Sequence, residues 1–276
     1  MKRFSVLMSV YRNDKTDDFK LALDSVSIKQ TLKPNQIVIV EDGPIETEIE
    51  EVINVSKTHN PDIEFTIIKK AVNQGLAAAL NDGIKACRFE WIARMDADDV
   101  ARPIRFEYQI NYLEKHPYID VLGGNVAEFE STPRDINSVR RVPQTHQEIA
   151  TMAKSRNPIN HQTVFYKKTS VEAVGNYSVE FGKLEDYKLW VDMLVAGFMF
   201  ANLDEILVDF RIGKGFIERR SNKREIKDWD MLQAYLLRNK MIDKKTEIIN
   251  KISIRCFIYM PSWLKVLAYK HILRKH

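Results

Sequence analysis

Residues 90–105 read EWIARMDADDVARPIR, and this stretch decides the fold of the chain. It begins with an apolar run at 91–95, which has the length and composition of a buried strand. Three carboxylates follow at once, Asp96, Asp98 and Asp99, and a proline then stands where helices commonly begin. Carboxylates crowded at the end of a strand repel each other unless a cation lies among them, and Mg²⁺ and Mn²⁺ prefer oxygen ligands. The stretch therefore predicts a strand, a Mn²⁺ or Mg²⁺ site and a helix, with a solvated acidic turn as the alternative.

The same strand–loop–helix pattern precedes this stretch three times. Apolar runs at 4–10, 36–40 and 63–68 predict buried strands, and helices are predicted at 17–29, 46–58 and 76–86, with a further one at 103–115. This alternation predicts an α/β fold, a mostly parallel sheet covered by helices. Tyr11, Asp42 and Asn73 follow the first three strands. Because ligands bind beyond the carboxyl ends of such strands, we expect these residues and the acidic turn to line one crevice.

The pattern changes after residue 117. Residues 118–129 predict an extended segment broken by two glycines, 163–166 and 206–212 predict strands, and 146–154 and 184–197 predict helices. A basic C-terminal region follows, with helices predicted at 221–241, 244–252 and 261–275. We therefore expect a domain over 1–215, divided into halves at 1–117 and 118–215, with a helical appendage over 216–276.

Composition narrows the classes of function. The chain has 276 residues and a formal net charge of +4, and its two cysteines favour a reducing cytosol over a disulfide framework. The first residues resemble a core strand rather than a signal peptide, and we expect no membrane-spanning helix. The charge lies on no recognised nucleic-acid-reading element, so we expect no nucleic acid partner. Residues 248–276 contain no acidic residue and mix aromatic with basic residues, which is typical of a segment at an anionic membrane surface. A helix packed on the domain is the alternative.

Five segments in this order resemble the family 2 glycosyltransferases of GT-A (Rossmann-like) fold: FSVLMSVY, IVIVEDG, NQGLAAALNDGI, WIARMDADD and LEDYKLW. The resemblance extends over essentially the whole chain and is closest to bacterial enzymes that build O-antigen, capsule and exopolysaccharide. It implies an inverting, Mn²⁺- or Mg²⁺-dependent transfer of a sugar from a UDP-sugar to a glycan on polyprenyl diphosphate. It places the enzyme in the cytoplasm, peripheral on the inner face of the cell membrane. The half at 1–117 would bind the nucleotide sugar, and the half at 118–215 the acceptor.

The resemblance also implies roles for residues of the first half. Tyr11 corresponds to the residue that stacks on the donor's base, and Asp42 to the carboxylate that accepts an N–H of that base. Asn73, Gly75 and Asn81 correspond to a stretch beside the donor. Each of these residues taken alone is equally consistent with an ordinary turn or helix position.

In the acidic turn, the resemblance makes Asp98 the direct metal ligand and Asp96 the residue that faces the ribose. The metal would neutralise the diphosphate as it leaves. The same letters match the start of haloacid-dehalogenase-like phosphatases, in which Asp96 would be the nucleophile. Those motifs lie on the first strand, however, whereas three strand–helix units precede this one. A non-catalytic adaptor at the membrane surface is a third hypothesis.

The acid pair Glu185-Asp186 corresponds to a pair at the start of a helix, which implies that Asp186 is the base that takes the proton of the acceptor hydroxyl. Acidic residues also favour the first turn of a helix for electrostatic reasons, which is the alternative. Glu185 and His161 are acceptor-side candidates, although a lone histidine before a strand is more often structural. Many relatives have a metal-binding histidine shortly after a Tyr-Arg pair, and this sequence has none after Arg211. Arg211 is therefore a candidate for binding the diphosphate.

Overall fold

The computed structural model describes residues 2–213, 224–261 and 263–265. The strands are β1 (Phe4–Val10), β2 (Gln36–Glu41), β3 (Glu64–Lys69), β4 (Trp91–Met95), β5 (Val100–Ala101), β6 (Val121–Phe129), β7 (Ile136–Arg140), β8 (Phe165–Lys167) and β9 (Phe200–Arg211). The α-helices are α1 (Thr16–Val26), α2 (Thr47–His59), α3 (Leu76–Ala86), α4 (Arg105–Lys115), α5 (His146–Met152), α6 (Lys168–Ala173), α7 (Glu185–Val195), α8 (Arg224–Arg238) and α9 (Lys244–Tyr259).

The first half of the sheet is parallel, with strand order β3-β2-β1-β4. Strands β1, β2 and β4 are apolar and almost entirely buried, because helices cover both faces. Apolar residues of α1, α2 and α4 pack on one face, and those of α3 and α7 pack on the other. The strands and helices predicted for the first 115 residues are confirmed within a few residues, and the short strand β5 is an addition.

The second half of the sheet is mixed. Strand β8 runs antiparallel to both β4 and β6, β6 is parallel to β9, and β9 is antiparallel to β5. The strand β9 is longer than predicted and reaches the acidic turn through its pairing with β5. Strand β7, which pairs with the outer part of β6, was not predicted.

The predicted break at Gly123-Gly124 is wrong, because β6 runs through both glycines without interruption. A Cβ at Gly123 would lie 2.3 Å from Asn202 Oδ1, and a Cβ at Gly124 would lie 2.5 Å from Leu207 Cδ1. The pairing with β9 also shifts register after Gly124. The two glycines therefore allow close approach of β9 rather than a turn.

Helices α8 and α9 pack against the rest of the protein. Leu232, Leu236 and Ile242 form a buried cluster with Phe181, Tyr187 and Val191 of the segment around α7. Helix α9 extends beyond its predicted end, whereas most of the predicted helix at 261–275 lies outside the described residues. Within the described ranges, no helix combines the length and apolar character that crossing a membrane requires.

Candidate functional site

The carboxyl ends of β1, β2, β3 and β4 lie along one edge of the sheet because these strands are parallel. Tyr11, Asp42 and Asp96 each come directly after one of them. Tyr11 is 39% exposed, so its ring is accessible to a ligand. Its backbone N–H donates to Asp14 Oδ2 at 2.9 Å, which holds the loop after β1.

The buried carboxylate of Asp42 organises the start of α3. Its Oδ1 accepts the N–H of Gln74 and its Oδ2 accepts the N–H of Gly75, both at 2.9 Å. Asn73 Nδ2 donates to the backbone oxygen of Asp42 at 3.0 Å. Gly75 has φ +89°, a conformation that suits glycine, and it precedes the first residue of α3. The structure thus joins Asp42, Asn73 and Gly75 in one hydrogen-bonded turn.

The acidic turn, residues 96–99, concentrates negative charge at the end of β4. Part of the Asp98 side chain is accessible to solvent, but the surrounding protein limits its hydration. This desolvation and the negative charge of Asp96 raise the pKa of Asp98 to about 6. Asp99 is fully buried, and burial followed by the charge of Asp98 raises its pKa well above the usual range. Asp14 was not predicted as a site residue. Burial, followed by the charges of Asp98 and Asp96, raises its pKa to about 7.

This excess of negative charge suits a hard divalent cation. Within the described part of the chain, no three His, Cys, Asp or Glu side chains are arranged to hold a metal ion by themselves. The solvent-accessible carboxylate of Asp98 can serve as a single protein ligand, with the remaining ligands coming from a bound diphosphate and water. The donor set therefore fits a cation that is held jointly by protein and substrate.

Arg211, a predicted diphosphate ligand, holds the acidic turn in place. Its backbone N–H donates to Asp99 Oδ1 at 2.8 Å, and its Nε donates to the backbone oxygen of Asp98 at 3.0 Å. Its Nη2 lies 2.9 Å from Asp18 Oδ1, and its guanidinium stacks over the Phe129 ring. The guanidinium is thus already engaged by protein groups.

A cavity of about 410 Å³ lies between the acidic turn and the start of α7. Four predicted residues line it: Asp96, His161, Glu185 and Asp186. The described residues that line the cavity do not include Tyr11, Asp42, Asn73, Gly75, Asp98 or Arg211. A larger surface depression of about 750 Å³ lies at residues 142–156 and contains none of the predicted site residues.

Glu185 and Asp186 occupy the first turn of α7 at the cavity wall. Asp186 Oδ2 accepts a hydrogen bond from Asn157 Nδ2 at 2.7 Å, and its Oδ1 accepts one from the N–H of Tyr187 at 2.6 Å. Burial raises the pKa of Asp186 above its ordinary value. Burial and the charge of Asp186 raise the pKa of Glu185 to about 8. The protonated form of Glu185 is therefore favoured at neutral pH.

Arg94 connects the two ends of the cavity and was not predicted. It is buried in β4, lines the cavity and forms an ion pair with Asp96. Its positive charge offsets part of the rise in pKa that burial causes at the carboxyl groups of Asp98, Asp99, Glu185 and Asp186. A charged residue inside an otherwise apolar strand is the signal by which the sequence could have revealed it.

His161 is buried in the cavity wall and neutral. Its Nε2 lies 2.8 Å from the hydroxyl oxygen of Tyr177, and its ring meets Trp190 edge-on at 5.9 Å. Burial and the charge of Arg94 lower the pKa of His161 well below its usual value. Asn81 holds the backbone of Tyr177 through two hydrogen bonds of 2.8 and 2.9 Å, so it supports this wall from α3.

The fold is similar to those of solved glycosyltransferases. Against TarS of S. aureus the TM-score is 0.68 at 13% identity, covering 98% of this chain and 46% of TarS, so the chain spans about half the length of that protein. Against the mannosyltransferase PcManGT from Pyrobaculum calidifontis, solved with GDP-Man and Mn²⁺, the TM-score is 0.65 at 17% identity, covering 98% of this chain and 73% of that one. The predicted GT-A fold is confirmed.

The sequence comparisons agree with the fold. The chain is 33% identical over 274 residues to the UDP-Gal:alpha-D-GlcNAc-diphosphoundecaprenol beta-1,3-galactosyltransferase of Escherichia coli, covering 99% of this chain and 97% of that protein. It is 34% identical over 246 residues to the amylovoran biosynthesis glycosyltransferase AmsE of Erwinia amylovora, covering 89% and 88%. The family model "Glycosyl transferase family 2" matches residues 5–174. The chain therefore belongs to glycosyltransferase family 2.

Proposed function

We propose that the protein transfers one hexose or N-acetylhexosamine, with inversion, from a UDP-sugar to a glycan carried on polyprenyl diphosphate during synthesis of a bacterial surface polysaccharide. The E. coli relative is named for a UDP-sugar and a diphosphoundecaprenol acceptor, and it aligns with 99% of this chain. The observation that carries the proposal is the shared cavity, in which Asp186 faces the same space as Asp96.

Asp186 is the proposed base. Inverting transfer requires one carboxylate to take the proton of the acceptor hydroxyl while that oxygen attacks the anomeric carbon of the donor. The raised pKa makes Asp186 a better proton acceptor than an exposed aspartate, and Asn157 fixes the direction of its carboxylate. Because Glu185 is protonated at neutral pH, its carboxyl group can donate a hydrogen bond to the acceptor or to Asp186.

The donor is proposed to lie along the carboxyl edge of the parallel strands. Tyr11 would stack on the uracil base, Asp42 would accept an imide N–H, and Asn73 and Gly75 would lie beside the nucleotide. Each carboxylate oxygen of Asp42 already accepts one backbone N–H, and Oδ1 also lies 3.7 Å from Lys70 Nζ, so the further lone pair of Oδ2 is the one proposed for the base. Asp98 would bind Mn²⁺ or Mg²⁺, which supplies charge neutralisation for the diphosphate as it leaves. Asp96, oriented by Arg94, would face the ribose.

Binding of UDP with and without Mn²⁺ tests this assignment. At a UDP concentration of about 100 times the Kd, the stabilisation is about 2.7 kcal/mol, which raises the Tm by several degrees. We expect this rise with wild type only when Mn²⁺ is present, and a much smaller rise with Asp98→Asn. Asp204→Asn, which removes an exposed carboxylate of β9, is the control and should behave as wild type.

Transfer is then measured from UDP-sugars to monosaccharides linked through diphosphate to an undecyl chain. A glycosylated product that requires the divalent cation is expected. Release of phosphate from a simple phosphomonoester, with no effect of UDP, would instead support the phosphatase alternative. Binding of lipid without any response to UDP would support the adaptor.

Membrane association is proposed to involve α9, several of whose apolar side chains face solvent. Its inner face carries the buried residues Glu247 and Asn250, and Asn250 Nδ2 donates at 2.8 Å to both the Lys154 backbone oxygen and Gln233 Oε1. Five apolar residues of α9 and the turn beyond it are between 48% and 70% exposed: Ile248, Ile249, Ile252, Tyr259 and Trp263. With no acidic residue from 248 onward, this surface suits an anionic lipid headgroup layer.

Sedimentation with vesicles that contain phosphatidylglycerol tests this surface. Ile249→Asp together with Ile252→Asp should reduce the bound fraction severalfold at unchanged Tm. The control is Ile28→Asp, which changes an isoleucine of similar exposure after α1. Equal loss in both variants, or no loss in either, would remove α9 from the membrane contact.

A further inference from the structure

Helix α8 closes one side of the catalytic cavity with two carboxylates. Glu225 and Asp228 lie three residues apart on α8, and both line the cavity that contains Asp186. The position of α8 is fixed by the buried cluster that its Leu232 and Leu236 form with residues around α7. The C-terminal helical region thus contributes side chains to the cavity of the catalytic domain.

Asp228 lies against the turn that leads into the proposed base. A Cβ at Gly182 would be only 2.3 Å from Asp228 Oδ2, so this carboxylate occupies the space that a side chain at Gly182 would take. Gly182 has φ +54° and begins the 3-10 turn Gly182–Leu184, which continues directly into Glu185 and Asp186. Since the base must contact the acceptor hydroxyl, Asp228 stands on the acceptor's side of the cavity.

The charge on this wall favours a neutral ligand that donates hydrogen bonds. Glu225 is paired with Lys183 at 3.1 Å, whereas Asp228 has no ion-pair partner among the described residues. Glu185 Oε2, also in the cavity wall and 93% buried as a residue, has no hydrogen-bond partner among them either. A carboxylate repels a diphosphate but accepts hydrogen bonds from hydroxyl groups, of which a sugar ring carries several.

We propose that Asp228, supported by Glu225, accepts hydrogen bonds from hydroxyl groups of the acceptor's terminal sugar and so determines which acceptor is used. The inference rests on the proposed function, because it names the part of the acceptor that this wall contacts. A site built to bind a hydroxyl discriminates strongly against a sugar that lacks it or points it elsewhere, since its polar group is then left unpaired.

Steady-state kinetics with the undecyl diphosphate sugars tests the proposal, using glucose, galactose and their N-acetylamino counterparts as acceptors. Asp228→Ala should raise the acceptor KM about ten- to a hundredfold, the range for a hydrogen bond to a charged group. The donor KM, the slow hydrolysis of UDP-sugar without acceptor, and the Tm should stay close to wild type. Asp228→Asn, which keeps the shape, should show a smaller rise in acceptor KM. The control is Asp230→Asn, on the same helix as Asp228, which breaks an ion pair with Arg255 of α9 and should leave the acceptor KM unchanged.

Deoxy acceptors locate the contact. With wild type, an acceptor without the hydroxyl bound by Asp228 should show a rise in KM about equal to the rise that Asp228→Ala causes with the full acceptor. With Asp228→Ala, removing this hydroxyl should raise the acceptor KM no further. The proposal is overturned if the acceptor KM of Asp228→Ala equals that of the control, if donor hydrolysis falls in parallel, or if no deoxy position shows this coupling. A wild type that hydrolyses UDP-sugar but glycosylates none of the acceptors would reject the lipid-linked acceptor class and this inference with it. A wild type that neither binds nor hydrolyses UDP-sugars would reject the proposed function itself.

Discussion

The proposed donor end, along the carboxyl edge of the parallel strands, and the proposed base end, in the cavity beside it, are built in different ways. At the donor end, the acidic turn follows β4 and Asp42 follows β2, so strand order alone brings them to one edge. At the base end, Asp186 begins α7, its hydrogen-bond partner Asn157 comes from a preceding loop, and Asp228 comes from α8. The donor end therefore follows from sheet topology, whereas the base end depends on how separate segments pack.

The two ends also use carboxylates differently. Asp98 is open to solvent and lies among like charges, which suits a cation, whereas Glu185 is buried and protonated at neutral pH. The same side-chain chemistry thus suits the proposed metal site at one end and the proposed proton transfer at the other, because the surroundings differ. Arg94 is buried between the ends and acts on the carboxyl groups of both.

The largest expected effect concerns Asp186, the proposed base. Asp186→Asn removes the proton acceptor but keeps the shape and the possibility of a contact with Asn157, so transfer should fall by roughly 10²–10⁴-fold. Binding of UDP with Mn²⁺ should be unchanged, because the donor end is intact. Single-turnover transfer and UDP titration measure the two ends separately. A parallel loss of UDP binding would show that the two ends are not independent.

Arg94→Met should disturb both ends at once. Removing one partner of a buried ion pair typically costs about 3–5 kcal/mol, because the remaining charge is left uncompensated. The side chain of Asp96 is 29% exposed, which places this pair at the low end of that range. For a chain of this size the Tm should fall by roughly 10 °C. Thermal unfolding measures this, with Arg88→Met as the control. Arg88 pairs with Glu64 at the surface, where such pairs contribute about 0–1 kcal/mol. Equal shifts in both variants would mean that Arg94 has no special electrostatic role.

The difference between the ends explains how much could be predicted from the sequence. The apolar runs of β1, β2 and β4 and the helices between them have strong periodicity, and their carboxyl ends indicated where polar residues would meet. The acid pair at the start of α7 was likewise predicted, although its environment was not.

Contacts between remote segments could not be predicted. The hydrogen bond from Asn157 to Asp186 joins residues 29 positions apart, and nothing in the loop around Asn157 indicates its partner. Arg94 could be placed on a strand, but its pairing with Asp96 depends on the turn geometry. Asp228 lies in a helix that the sequence assigns to the C-terminal appendage, and only the packing of α8 on the segment around α7 brings it to the cavity.

Glu185→Gln should change how stability depends on pH. Burial and Asp186 raise the pKa of Glu185 from 4.5 to about 8, so between these values the folded protein holds a proton that the unfolded chain has lost. The free energy of unfolding contributed by this group therefore falls as the pH rises through that window. Glutamine stays neutral, so the variant should be more stable relative to wild type at pH 9 than at pH 5. Chemical denaturation at the two pH values measures this, and a constant difference would contradict the protonated state of Glu185.

The smallest expected effect is at the donor end. Asp42→Asn replaces one of the two oxygens that accept the N–H groups of Gln74 and Gly75 with an amide that cannot accept them. The loss resembles that of a helix cap and should cost about 1 kcal/mol, or a few degrees of Tm. Asp62→Asn, in an exposed turn before β3, is the control. If Asp42 also accepts an imide N–H of the nucleotide, UDP should bind more weakly by about tenfold, whereas the affinity for inorganic diphosphate should not change. Because diphosphate lacks the base, this pair of ligands separates the structural role of Asp42 from its role in recognition.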